Sequence, residues 1–151
     1  MKKLPILSMP IYKLKLKKIA EKTYIFDVVR KKYLILTPEE WVRQNFIQYL
    51  NIEKNFPLGL IGVENMIKYN NLKTRADIVI YNSDGHANII VECKAPDVKI
   101  TQETFYQIAK YNSQLKVQYL IVTNGRKHYC CEMDYLNNEI RFLKEIPNNK
   151  I

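Results

Sequence analysis

Two short segments hold the residue types that could do chemistry. Arg75-Ala76-Asp77-Ile78-Val79-Ile80 and Ile90-Val91-Glu92-Cys93-Lys94 are rich in β-branched residues and bounded by turn residues, the composition of strands. Asp84-Gly85 between them favours a two-residue hairpin loop. With these two at the turn, Ser83 faces His86 and Asp77 falls opposite Glu92, at a Cβ separation of about 5 Å where like charges repel. Lys94 follows two residues later, on the same strand face as Glu92. Facing carboxylates beside an ammonium make a poor structural pair and a good site for a divalent cation and an activated water. Mg²⁺, with Mn²⁺ as the alternative ion, takes oxygen ligands from one or two carboxylates plus waters. Asp77 and Glu92 are the expected ligands, with the backbone carbonyl of Cys93 as a further one. The ion would hold a phosphate oxygen and lower the pKa of an attacking water. Lys94 would orient or deprotonate that water and offset charge on the phosphate. That chemistry fits phosphodiester hydrolysis.

The elements that must position these groups are legible in outline. Alternation of apolar and basic residues over 11–17 has the period of a half-exposed strand. Strands are expected over 23–29 and 33–36. Thr37-Pro38-Glu39-Glu40 then starts a helix reaching about Leu50, with Thr37 as N-cap, Pro38 at the first position and Glu40 completing a capping box. Val42, Phe46, Tyr49 and Leu50 form its buried side. A strand near 60–69 precedes the hairpin, on which Ala76, Ile78, Ile80, Ile89, Val91 and Cys93 make one apolar face against a helix. Thr101 caps a second helix running to about Leu115, and strands follow over 118–123, 127–133 and 139–143. This order gives one mixed α/β domain of 151 residues. It divides into basic N-terminal strands (1–36), a core (37–134), and a C-terminal strand with its tail (135–151).

Two helical features bear on the hairpin. Glu39 shares a helix face with Val42, Arg43 and Phe46 and is the expected third carboxylate, Glu40 being occupied by the cap. Gln107 and Tyr111, four apart on the second helix, stack on one face and can bond a phosphate or support Lys94.

Charge points to a polyanion. Residues 1–36 carry ten Lys or Arg against Glu21 and Asp27, a net +8 of the chain's +9. Lys13, Lys15, Lys17, Arg30, Lys31 and Lys32, with Arg43 and Arg75 nearer the hairpin, are the candidate nucleic-acid contacts. Cys93, Cys130 and Cys131 match no metal-ligand spacing and are expected to be reduced and buried. His86 and His128 are isolated and expected at the surface or in turns. No apolar run approaches the ~20 residues of a membrane span, so the expectation is a cytoplasmic protein with no membrane partner.

Asp77 followed by Glu92-Cys93-Lys94 resembles the PD-(D/E)xK nuclease motif. Gln107-Ile108-Ala109-Lys110-Tyr111 is similar to the QxxxY motif that follows the catalytic lysine in several branches of that superfamily. Residues 36–44, Leu-Thr-Pro-Glu-Glu-Trp-Val-Arg-Gln, resemble the N-terminal domain of type I restriction enzyme R subunits, a likeness extending over about 23–133. The resemblance implies a restriction-endonuclease-like mixed central sheet flanked by helices, here with a basic β-rich N-terminal extension. It also implies Mg²⁺-dependent DNA cleavage, ligation by Asp77 and Glu92, and Lys94 as the catalytic lysine. The proline usual before the first aspartate is Ala76 here, which leaves the carboxylate in place. The chain has no GxxxxGK[ST] phosphate loop, so translocation by a motor is expected from another restriction-modification subunit or not at all. Cutting both DNA strands would require two copies of the site, as in a homodimer. Two other readings stay open: a non-catalytic nucleic-acid-binding module, and an accessory subunit of a restriction or repair complex.

Overall fold

Alternating lysines shape the N-terminal region. In the computed structural model, which describes residues 3–149, Lys13, Lys15 and Lys17 are exposed while Tyr12, Leu14 and Leu16 are half-buried. The regular strand is shorter than the alternation: β1 is Leu16–Ile19, and only the Phe26 N–H donating to Lys15 O at 2.9 Å extends its pairing. With β2 (Lys22–Asp27) and β3 (Lys32–Ile35) it forms an antiparallel three-stranded sheet in the order β1-β2-β3.

Thr37 then caps α1 (Pro38–Gln48), accepting from the Glu40 N–H at 3.1 Å. The reciprocal half of the expected capping box is absent. The Glu40 carboxylate turns inward to Arg43 and Gln44, because a buried guanidinium is a stronger partner than the Thr37 amide. The helix widens into a π-helical turn at Tyr49–Glu53, close to the expected end.

The central sheet has six strands. Its first strand, β4 (Ile61–Val63), does not run on to residue 69 as expected. Glu64 adopts φ +55°, turning the chain out of the sheet into a small hairpin of β5 (Met66–Tyr69) and β6 (Leu72–Arg75). Two hydrogen bonds pin the feet of this excursion: Glu64 N–H to Asp77 O and Ala76 N–H to Asn65 O, each 3.1 Å.

β7 (Ile78–Tyr81) and β8 (Ala87–Cys93) then pair with Ile78 opposite Val91 and Ile80 opposite Ile89, the expected register. The turn itself differs. Asn82, not Ser83, faces His86, donating to its carbonyl at 2.8 Å around a three-residue loop in which Gly85 takes φ +90°. Asn88 bulges from β8 between the Tyr81–Ala87 and Ile80–Ile89 pairs and restores the alignment.

α2 (Gln102–Asn112), capped by Thr101, crosses over from β8 to β9 (Tyr119–Thr123), the one parallel neighbour pair in the sheet. Antiparallel β10 (His128–Asp134) and β11 (Glu139–Leu143) complete it, in the order β11-β10-β9-β8-β7-β4. The hairpin is buried on both faces. Ile78, Ile80, Ile89, Val91 and Cys93 pack with Val42 and Phe46 of α1, while Val79 and Ile90 pack with Phe105 and Ala109 of α2. The expectation of a single apolar face was too narrow, and Ala76 belongs to the α2 side. Near-continuous β-branched runs suit strands covered on both faces, each side chain contributing about 1.5–3 kcal/mol. Cys130 faces the α1 cluster and Cys131 the α2 cluster; all three cysteines are buried and free. No helix of the described residues is long and apolar enough to cross a membrane.

Candidate functional site

Asp77 immediately precedes β7, and its Oδ2 accepts the Cys93 N–H at 2.7 Å. The carboxylate is therefore clamped across the hairpin at the end of β8. One residue outward from the Ile78–Val91 pair, Asp77 and Glu92 occupy the same level of the hairpin. Lys94 Nζ lies 3.2 Å from Glu92 Oε1, and the Lys94 N–H donates to Thr123 O at 2.8 Å, tying the strand end to β9. The side chains of Asp77, Glu92 and Lys94 are 35%, 36% and 39% exposed, open enough to meet a substrate. Burial raises the Asp77 pKa above its ordinary value, a shift opposed by the Cys93 N–H and Arg43 and reinforced by Glu92.

On the α1 side, ion pairs brace this end of the hairpin. Arg43 bonds Glu40 through two nitrogens, reaches Glu64 Oε1 at 3.2 Å, and lies 3.9 Å from Asp77 Oδ1. Arg30 joins Asp27 Oδ2 at 2.7 Å to Glu64 Oε2 at 3.2 Å. Burial alone would lower the Arg43 pKa, but its bonds to Glu40 and Glu64 raise it overall. Glu64 is pulled below the ordinary carboxylate range, first by the Arg43 hydrogen bond. Arg43 and Arg30, expected among the nucleic-acid contacts, are thus bound to carboxylates, and Arg43 is buried. Glu39 is exposed on the rim of a cavity of about 220 Å³ that Glu40, Arg43, Glu64 and Asp77 also line. Glu64, Arg30 and Asp27 were not anticipated as neighbours of the site, and no local pattern marks Glu64.

The network has a measurable acid limb. Burial would raise the pKa of fully buried Asp27, but N–H donors of Arg30 and Val29 and the Arg30 guanidinium hold it below its ordinary 3.8. This stability is present above the unfolded value and is lost as pH falls through the lowered one. Asp27→Asn is expected to cost about 1–2 kcal/mol at pH 7 and to lessen the loss of stability below pH ~4. Urea unfolding at neutral and acid pH checks both effects.

On the α2 side, Arg75, Asp77, Glu92, Thr104, Gln107 and Tyr111 line a cleft of about 350 Å³. The structure therefore brings Gln107 and Tyr111 to the two carboxylates, although neither is hydrogen-bonded to Lys94. Lys13 and Lys15, ahead of β1, and Lys17, Lys31 and Lys32, on the separate N-terminal sheet or its turn, are exposed. His86 is exposed beside Asp84. His128 is not a surface residue: it packs against Phe46 and Tyr49, bonds Thr123 Oγ1 through Nδ1 at 2.6 Å, and has its pKa lowered by burial.

Among the described residues, no group of three or more His, Cys, Asp or Glu converges as a ready metal cage. The donor set nevertheless fits Mg²⁺, which keeps several waters and needs only one or two carboxylates. Asp77 is oriented through Oδ2 with Oδ1 unbonded, and Glu92 stands at its level.

A mixed sheet with a helix on each face, and carboxylates gathered at one end of its β7–β8 hairpin, defines a restriction-endonuclease-like domain. Residues 38–147 match the family described as type I restriction enzyme R protein N terminus (HSDR_N), and the chain belongs to that family. Among solved structures it is similar to a fragment described as an HsdR subunit of a type I restriction enzyme from Vibrio vulnificus YJ016. That likeness has a TM-score of 0.51 at 21% identity over 75% of this chain, which spans only 24% of the other. It supports the fold. No curated protein matches the chain.

Proposed function

We propose that this domain is a metal-dependent DNA endonuclease of the PD-(D/E)xK type, working with a motor or other restriction-modification subunit. The observation that carries the reading is the cluster of Asp77, Glu92 and Lys94 at the open end of the β7–β8 hairpin. Asp77 and Glu92, with the Cys93 carbonyl, are the residues that would hold Mg²⁺ or Mn²⁺. When bound there, the ion supplies Lewis acidity toward a phosphate oxygen and a water. Lys94 orients the attacking water and offsets charge developing on the phosphate. Gln107 and Tyr111 hydrogen-bond the phosphate from the α2 wall, and Arg43 steadies Asp77 from the α1 wall. Glu39, on the rim of the α1-side cavity that Asp77 also lines, would be a further ligand.

Supercoiled, linear and branched DNA incubated with EDTA, Mg²⁺ or Mn²⁺ tests the proposal. Cleavage with either metal and none with EDTA is expected. Binding without cleavage under every condition would favour a non-catalytic nucleic-acid-binding or accessory module.

A further inference from the structure

The sheet of β1, β2 and β3 turns one face toward α1 and leaves the other without a partner in the described fold. Ile25 and Asp27 are fully buried on the inner face. The register sets Lys17, Tyr24 and Ile35 side by side on the outer face, with Phe26 beside Tyr33 and Ile19 beside Lys22. Lys15 joins them through the backbone bond from Phe26. No Asp or Glu occupies an outward position on these strands. Phe26 and Tyr33 meet edge to face with centroids 5.1 Å apart. Lys15 Nζ stands 5.3 Å from the Phe26 centroid, and Lys17 Nζ 3.9 Å from that of Tyr33.

We infer that this face binds single-stranded DNA, stacking bases on Tyr24, Phe26 and Tyr33 and holding phosphates with Lys15, Lys17 and Lys22. Solubility alone explains lysines but not half-exposed rings placed among them on one face. Side chains two apart on a strand are about 6.8 Å apart, twice the roughly 3.4 Å between successive bases of a duplex strand. Only an extended, unstacked strand can lay successive bases on such rings. A duplex keeps its base faces stacked away from a sheet surface. An exposed cation–π contact is weaker than a base stacked on the same ring, so an arriving base displaces each ammonium. The displaced ammonium then pairs with the phosphate the base brings. The choice of DNA rests on the nuclease reading; the stacking geometry does not.

The test is fluorescence anisotropy in EDTA, using a labelled oligothymidylate, a labelled duplex of equal length and anionic phospholipid vesicles as competitor. Tyr24→Leu, Phe26→Leu and Tyr33→Leu keep apolar bulk and are each expected to weaken single-strand binding about ten-fold or more. Duplex binding is expected to change by less than about two-fold, since it rests on phosphate contacts. Replacing Lys15, Lys17 and Lys22 by glutamine is expected to weaken both and to flatten the single-strand salt slope by about 0.7 per lost contact. Ultraviolet crosslinking of the unsubstituted chain to the oligothymidylate guards against variants that do not fold; adducts are expected within residues 22–35. Leucine variants that retain single-strand affinity, adducts mapping elsewhere, or vesicles bound in preference to the oligonucleotide would each overturn the inference. Cleavage in Mg²⁺ is scored separately. Stacking without cleavage sinks the nuclease reading alone, and cleavage without stacking sinks this one alone.

Discussion

Lys94→Ala is expected to abolish cleavage while leaving DNA affinity within a few-fold of the parent chain. The lysine is one of 24 basic residues, so its share of the overall attraction to phosphate is small. Its position is not interchangeable with theirs. The Lys94 N–H is fixed to Thr123 O, and its ammonium stands 3.2 Å from Glu92 Oε1, beside the carboxylates that would ligate the metal. A positioned group that moves a proton or offsets transition-state charge contributes about 10²–10⁴-fold. Losses of that size leave cleavage undetected in an ordinary plasmid assay. The alanine change is expected to be structurally mild, because the side chain is 39% exposed and its partner Glu92 keeps access to water. Unchanged cleavage by the purified variant, free of contaminating nuclease, would refute the assignment of Lys94.

The hairpin register was readable because two errors of local detail cancel. The loop has three residues instead of two, but the Asn88 bulge returns Ile80 to Ile89, so Asp77 and Glu92 keep the level that simple counting gives them. The helix starts were readable because Thr37 and Thr101 carry their own capping chemistry. The β5–β6 excursion was not. It depends on a left-handed Glu64 where neither glycine nor asparagine signals one, and on the backbone bonds that join Glu64 to Asp77 and Ala76 to Asn65. The brace around Arg43 was hidden for the same reason. Glu40 and Arg43 are helical neighbours, but Glu64 and Asp77 reach them only through the sheet. Sequence spacing alone therefore offered Arg43 to DNA, whereas tertiary packing gives it to carboxylates. The cluster of Gln107 and Tyr111 with Asp77 and Glu92 followed from helical spacing plus the crossover of α2 over the hairpin.

Asp77→Asn separates the structural cost of the site from its use. Burial raises the pKa of Asp77, and Glu92 at the same level adds to the shift, so the folded chain holds a proton there more tightly than the unfolded chain. Stability therefore falls as pH rises from the ordinary 3.8 through the raised value, and the ionised carboxylate is a net cost at neutral pH. Asparagine removes that charge yet keeps an oxygen to accept the Cys93 N–H. Arg43 loses little, since it remains bonded to Glu40 and Glu64. Metal-free stability at pH 7 is expected to rise by roughly 0.5–1 kcal/mol, the scale of a cross-strand pair, with solvent screening favouring the lower end. The same substitution removes the charge of a proposed ligand, so most of any stabilisation by Mg²⁺ is expected to disappear, and cleavage with it. Opposite signs for stability and activity mark a site maintained at the expense of the fold. Thermal melts of both proteins in EDTA and in Mg²⁺ decide the matter. Equal metal-induced shifts would mean that Asp77 is no ligand, and a lower melting temperature for the metal-free variant would mean that its bond to Cys93 and its attraction to Arg43 outweigh the repulsion from Glu92.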